Sequence, residues 1–393
     1  MDSLSQKLKD RIRAQLEQPI SEILHKELVE WKSCQNKARS ALKELNSAAV
    51  ELKGLLSQAN VTLPENVNRA VMKTVGPPTG LLAEMLLSAD LRVVDIGGRL
   101  GPLSQFSSLI PFCSLFICEP DPKAQEALRE SFQSKQEGYD WRRVIPFSEA
   151  LGLNSGTVSL NITKQPGLSS LLVPNSEMVR TFYSTDDWQV LGSEQVPSLT
   201  LDAAGTRYDF GSPLFLKLDT QGTELEILKS GPSVLKDTVG VYLEVNNLDF
   251  YQGQSSFGET DSFLRENGFT LVDLKRTTLR RENNTRPMYS KRELGWSHAL
   301  YLRLGGAGLN QLEKRFAGAL FTLAVCLEYF DLAVSILEHP ELGTEFPVGE
   351  LGALKSAVCT RSEAVFRRIS ANVTEEYRDA LLLSCFRDRK WER

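Results

Sequence analysis

The stretch VVDIGGRLGP, residues 93–102, begins as a short apolar run and breaks into glycines. Asp95 lies at the end of the run, and Gly97, Gly98 and Gly101 follow it. Glycine reaches backbone conformations closed to other residues and lets a ligand approach the chain closely. A helix that starts after such a turn offers free N–H groups to an anion. The stretch therefore reads as a buried strand, a tight turn and the start of a helix. Turns of this kind are common, so the surroundings have to say what this one holds.

Outward from that turn the same alternation continues. Short β-branched or apolar runs start at residues 91, 114, 142, 213, 239, 269 and 298. Between them lie DPKAQEALRESFQS, GTELEILKSGPSVL and FGETDSFLRENG, each with helical spacing. Strands alternating with helices imply an α/β domain, a mostly parallel sheet with helices on both faces. NSGTVSLNITKQPGLSSLLVPN interrupts the pattern and reads as an added hairpin and loop.

Spacing narrows the ligand. A dinucleotide fingerprint needs glycines at relative positions 0, 2 and 5. Here they fall at 0, 1 and 4, which counts against a nicotinamide enzyme, and the Gly-Lys-Ser/Thr of a P-loop is absent. The second strand, SLFICEP, ends in Glu119, 18 residues beyond Gly101. An acid there can accept hydrogen bonds from both ribose hydroxyls of an adenosine; otherwise it is a solvated strand end. The two acids and the glycine turn together suit S-adenosyl-L-methionine. The turn faces the methionine moiety, Glu119 takes the ribose, and Glu149 with Ala150 flanks the adenine.

Several blocks, in order, resemble the FkbM-type S-adenosylmethionine-dependent methyltransferases: VVDIGGRLG, EPDP, EALGLNSGTVSL, GLSSL, SLTLD, LKLDTQGTELEILKSG, YLEVN, FYQGQ and FLRENGF. The resemblance covers about residues 85–304. It implies the seven-stranded, Rossmann-like class I methyltransferase fold and methylation of hydroxyls, including those of sugars, glycans and natural products. Two positions depart from the family pattern. Arg99 stands where the family usually has Asn, so it either pairs with the cofactor carboxylate or blocks the site. His298 stands where the family tends to have Asp. Both keep an inactive methyltransferase-like scaffold as the alternative.

Methyl transfer to a hydroxyl requires alignment of donor and acceptor and removal of a proton. Asp219 ends the fourth strand of the fold, at the edge where ligands of open α/β sheets bind. It is the first candidate for orienting the acceptor or taking its proton, and it also suits a helix cap. His298 is the second catalytic candidate, since its imidazole titrates near neutrality; its ordinary reading is a strand-end histidine. Lys217 shares a face with Asp219 and needs a partner if buried, for which Glu224 or Glu244 is the expected choice. Gln221 and Glu224 are expected to touch acceptor or cofactor. Asp219, Glu244 and nearby carboxylates are able to hold a divalent ion, but no spacing demands one, so no metal is assigned. The run KRTTLRRENNTRPMYSKR carries seven cations and one Glu. It is either a site for a phosphorylated or acidic substrate or a solvated loop.

The 393 residues are too many for one compact core. The pattern divides them into a helical N-terminal region, 1–78, a methyltransferase domain, 79–304, and a helical C-terminal extension, 305–393. The first region carries apolar stripes such as Leu4, Leu8, Ile12 and Leu16, which pack on the rest of the chain or build a homo-oligomer. A net charge of −5 argues against nucleic acid as the partner, leaving a small-molecule or glycan acceptor. The sequence shows no membrane span, and its start lacks a secretory pattern. Six scattered cysteines read as buried thiols of a cytoplasmic protein.

Overall fold

The computed structural model describes residues 78–99, 104–133, 142–183, 185–281, 291–304 and 308–371. The helical stripes read before residue 78, Gly101 and the middle of the basic run lie outside the described residues. The strands are β1 (Arg92–Ile96), β2 (Ser114–Cys118), β3 (Arg143–Phe147), β4 (Ala150–Leu151), β5 (Gly156–Thr163), β6 (Val190–Leu199), β7 (Leu214–Leu218), β8 (Thr238–Asn246), β9 (Thr270–Leu279) and β10 (Glu293–Leu302). The helices are α1 (Gly80–Ser88), α2 (Pro122–Gln133), α3 (Ser176–Phe182), α4 (Leu201–Tyr208), α5 (Glu224–Lys229), α6 (Pro232–Lys236), α7 (Phe257–Glu266), α8 (Ala317–Cys326), α9 (Phe330–Glu338) and α10 (Leu351–Ala371).

Seven strands form one sheet in the order β3-β2-β1-β7-β8-β10-β9. Its first five members are parallel, and β10 runs antiparallel between β8 and β9. This is the seven-stranded, Rossmann-like class I methyltransferase arrangement. The order reverses between β1 and β7, which opens a crevice beyond the carboxyl ends of those strands.

Side chains alternate between two cores, as the two-residue period of a strand requires. Val93, Leu115, Phe215, Tyr242, Leu300 and Leu302 pack into one, with α1 and α8. Val94, Phe116, Leu216, Val241, Leu243 and Tyr301 pack into the other, beneath α4, α5 and α7. Residues 308–371 are largely helical, and α8 is buried along nearly its whole length within the first core. It completes the cover of the sheet instead of hanging from it. Leu327 closes α8, and Phe330 opens α9 after Glu328 at φ 69°.

Three local readings change. The interruption after β4 is a second sheet, with β5 and β6 antiparallel and β4 alongside β6. The basic run is less of a loop than its charge implied. Its residues up to Leu279 continue β9, which pairs with β10 from Glu293 onward. Arg281 then reaches Glu293 with two hydrogen bonds. Among the described cysteines, Cys113, Cys118 and Cys326 are buried as expected, but Cys359 is exposed. Among the described residues no helix is long and apolar enough to cross a membrane.

Candidate active site

Strand register builds the site. Asp95 lies opposite Lys217 across β1 and β7, and Lys217 lies opposite Tyr242 across β7 and β8. Two residues further along, on the same face, Asp219 stands beside Glu244, and Glu244 lies opposite His298 on β10. The next strand adds Lys275 opposite His298. The apolar face that carries Phe215, Tyr242 and Leu300 thus ends in a row of ionisable side chains at the open edge of the sheet.

The lower pair of this row is internal. Lys217 Nζ lies 2.9 Å from Asp95 Oδ1 and donates to the Gly97 carbonyl at 3.1 Å. Both side chains are buried. Burial opposes the Lys217 ammonium, but Asp95 and Asp219 outweigh it and hold its pKa above the ordinary value. Cross-strand adjacency makes Asp95 the partner, not Glu224 or Glu244. Asp95 is thereby committed to the core and does not line the cleft.

The cleft above encloses about 950 Å³, its open mouth included. Gly97, Glu119, Ala150 and Asp219 line it. Gly97 sits at φ 80°, and a Cβ there would meet the Asp219 carbonyl oxygen at 2.0 Å. Only glycine lets the turn after β1 press so close to the end of β7. The Gly97 and Gly98 N–H groups donate to the Cys118 carbonyl, tying this turn to β2. Glu119 is buried and accepts from the Asp121 N–H at 2.8 Å through Oε1. Burial pushes its carboxyl above the ordinary range, although that bond and Arg99 act in the other direction. Arg99 Nη1 meets Asp121 Oδ2 at 2.6 Å. The guanidinium therefore joins the turns after β1 and β2 and forms part of the wall.

At the other end Asp219 emerges from β7, with its N–H still donating to Ile96. Gln221, at φ 62°, donates to Asp219 Oδ1 at 2.8 Å. Tyr251 Oη donates to Gln221 Oε1 at 3.0 Å. Asp219 is thus held by a Tyr251–Gln221 chain. The alternative reading of Asp219 as a cap does not hold, because Glu224 takes the turn's N–H groups, those of Thr220 and Gly222. Glu244 is buried, and its carboxyl is pushed well above the ordinary range by burial, then by Asp219 and Glu224. His298 Nε2 lies 4.0 Å from Glu244 Oε2. Burial pushes the imidazole pKa down, against the pull of Asp219, and its ring stacks on Tyr242. Tyr183, Trp188, Phe250 and Trp296 form an aromatic cluster nearby. Tyr183 is raised to about 12 by burial and by Glu244.

Residues 112–271 match the model of the Methyltransferase FkbM domain. The chain carries an FkbM methyltransferase domain. That match spans under half of the chain, and over those residues the chain is similar to FkbM-type methyltransferases. Among curated proteins, none matches the chain in sequence. Solved structures with a similar chain path include the FkbM methyltransferase of Methylobacillus flagellatus KT, at 14% identity and a TM-score of 0.31. That likeness covers 55% of this chain and 44% of the other, under half of that protein. Precorrin-6y C5,15-methyltransferase from Geobacter metallireducens GS-15 has 14% identity and a TM-score of 0.27, covering 56% and 86%. TrmK of M. capricolum, solved with S-adenosyl-homocysteine, has 8% identity and a TM-score of 0.25, covering 72% and 98%.

The matched part of the methyltransferase domain begins beyond the glycine turn and ends before His298, so those two features rest on the fold alone. Of the residues expected at the cofactor, the structure brings Gly97, Glu119 and Ala150 to the cleft. Gly98 packs behind, where a Cβ would meet Ile117 Cγ1 at 2.3 Å. Glu149 faces away, accepting from Tyr208 Oη at 2.6 Å and pairing with Arg207 at 2.9 Å. It is not among the residues that line the cleft, whereas Ala150 and Leu151 are. Asp219 and His298 do come together, with Glu244 between them. Tyr251 was missed as a positioning residue. Its signal was its place in the FYQGQ block, with a glutamine two residues beyond Asp219.

Proposed function

We propose that the chain is an O-methyltransferase that acts on a hydroxyl of a sugar, glycan or natural product. The observation that carries this reading is the position of Asp219. It lies in the cleft wall with Gly97 and Glu119, and it also begins the acidic row toward β8 and β10. A group bound in the cleft and an acceptor over the row would therefore meet at this carboxylate.

The residues present fit S-adenosylmethionine. Glu119 offers Oε2 to a ribose diol, because Oε1 already accepts from Asp121. Ala150, Leu151, Leu160 and Leu171 give an apolar wall for a planar base. The close approach at Gly97 leaves room over the turn. When bound, the cofactor supplies an electrophilic methyl group on a sulfonium. The protein's part is alignment and proton removal. Gln221 occupies Asp219 Oδ1, and no donor among the described residues reaches Oδ2. Asp219 Oδ2 is then the atom that takes the acceptor's proton, while the aromatic cluster shields that side from water.

The acidic composition and the row of carboxylates favour a small-molecule or glycan acceptor over nucleic acid. The free cysteines suit a cytoplasmic location. Radiolabelled methyl transfer against a panel of glycans and hydroxylated small molecules tests the reading. Absence of S-adenosylmethionine binding at millimolar concentration overturns it. Arg99 in the cleft wall is the one observation on the side of an inactive scaffold. If the natural chain binds no cofactor and Arg99→Asn does, the scaffold reading replaces the enzyme.

A further inference from the structure

The row Asp219, Glu244 and His298 contains a donor set as well as an acid and an imidazole. One carboxylate oxygen from each acid and one imidazole nitrogen all lie within 4.8 Å of one another. Around a six-coordinate divalent ion with metal–oxygen distances of about 2.1 Å, adjacent ligands stand about 3 Å apart and only an opposite pair reaches about 4.2 Å. The three side chains would have to close by roughly 1 Å or more to meet around one ion. They come from three adjacent strands, β7, β8 and β10, whose register fixes their backbones.

Glu244 points to a missing positive charge independently of those distances. It is 9% exposed, and no hydrogen-bond donor among the described residues reaches its carboxylate. A buried carboxylate without a donor is costly. Around it stand Asp219 and Glu224, both acids, and the cation that acts on it among the described residues, Lys217, is already bound to Asp95 and Gly97. Lys275 lies across β10, on the far side of His298. The imidazole has no hydrogen-bond partner among the described residues, and its Nε2, 4.0 Å from Glu244 Oε2, is a nitrogen of the kind that ligates metals.

We propose that Asp219, Glu244 and His298 bind a divalent first-row cation at the acceptor end of the cleft. The proposal rests on the reading of that end as the acceptor site. Carboxylates suit Mg²⁺ and Mn²⁺, and the single imidazole tilts the set toward Mn²⁺ or another first-row ion. The ion would bind the acceptor's hydroxyl oxygen and make its proton easier to lose, with the proton passing to the Asp219 carboxylate oxygen that the ion leaves free. An acceptor with two neighbouring oxygens, such as a vicinal diol, would chelate it.

The test is a titration of the EDTA-treated full chain with Mn²⁺, followed by the electron paramagnetic resonance signal of the free ion. One Mn²⁺ per chain is expected, with affinity lowered more than about tenfold in Glu244→Gln and in His298→Gln. Competition by Mg²⁺, Zn²⁺ and Ca²⁺ orders the natural candidates. Circular dichroism checks that both variants fold, and the isosteric Glu244→Gln alone suffices if the other does not. No Mn²⁺ binding at millimolar concentration, or equal binding by the wild type and Glu244→Gln, overturns the site. S-adenosylhomocysteine binding, measured on the same samples, separates the two readings. Its presence without Mn²⁺ removes only the metal, and Mn²⁺ binding without it removes only the cofactor.

Discussion

At the end of the cleft near β1 and β2, charged side chains are paired: Lys217 with Asp95, Arg99 with Asp121, and Glu119 with the Asp121 N–H. At the end near β8 and β10, Glu244 and His298 have no hydrogen-bond partner among the described residues, and Asp219 uses one oxygen. Asp95 and Lys217 stand on the same face of the sheet as Asp219, Glu244 and His298, two residues before them, while Arg99, Glu119 and Asp121 lie beyond the ends of β1 and β2. The difference is in what each set answers to. The paired charges tie neighbouring turns together and hold the cleft in shape. The unpaired ones cost stability in the free protein and make sense only toward something that arrives.

The sharpest way to break this contrast is at Asp219. Asp219→Asn keeps the shape and the Gln221 contact but removes the proton acceptor. Turnover is expected to fall about 10²–10⁴-fold, the usual range for a lost acid–base group. Cofactor affinity should stay near that of the wild type, as read by calorimetry. His298→Gln is expected to cost less turnover, and the reverse order would move the chemistry to the imidazole.

A comparable effect, on stability instead of turnover, is expected at the paired end. Lys217→Met leaves Asp95 buried without its counter-charge, which costs about 3–5 kcal/mol. Denaturant unfolding measures it. Adding Asp95→Asn to Lys217→Met should restore part of the loss, because the uncompensated charge is gone. At the unpaired end the sign should change. With metal removed, Glu244→Gln should be neutral to stabilising, because the amide takes away the charge beside Asp219 and Glu224 while keeping the shape. If both variants lose stability alike, the two ends do not differ in the way described.

Much of this frame was legible in the sequence because strand period and glycine turns are local signals. The alternation of runs and helices gave the sheet, and the glycines after Asp95 marked the ligand edge. Pairing across strands was not legible to the same degree. Lys217 meets Asp95, and not an acid further along the chain, because β1 and β7 are neighbours in register, and register is a property of the whole sheet. Glu149 looked like a cofactor residue by its place after β3, yet Tyr208 and Arg207, some 60 residues on, turn it away. Gln221 was read from the sequence as a contact to acceptor or cofactor, not as a support for Asp219. Its tie to Tyr251 depends on a loop that folds back over the turn.

The smallest effect is expected at Glu119, which belongs to the paired end but keeps one oxygen for a ligand. Glu119→Gln preserves an acceptor and loses its charge. Hydrogen bonds to charged groups exceed neutral ones by roughly 1 kcal/mol, so affinity for S-adenosylhomocysteine should drop about five- to tenfold. The pH dependence is the stricter check. Burial holds the Glu119 carboxyl above its ordinary value of 4.5. As pH falls through that raised value the carboxylate is protonated, and it can no longer accept from two ribose hydroxyls. Wild-type affinity should therefore weaken on the acid side, beginning at a pH above 4.5, while the Gln variant, which has no proton to gain there, shows a flat profile. A wild-type profile as flat as the variant's would place the ribose elsewhere and leave Glu119 a purely structural partner of the Asp121 turn.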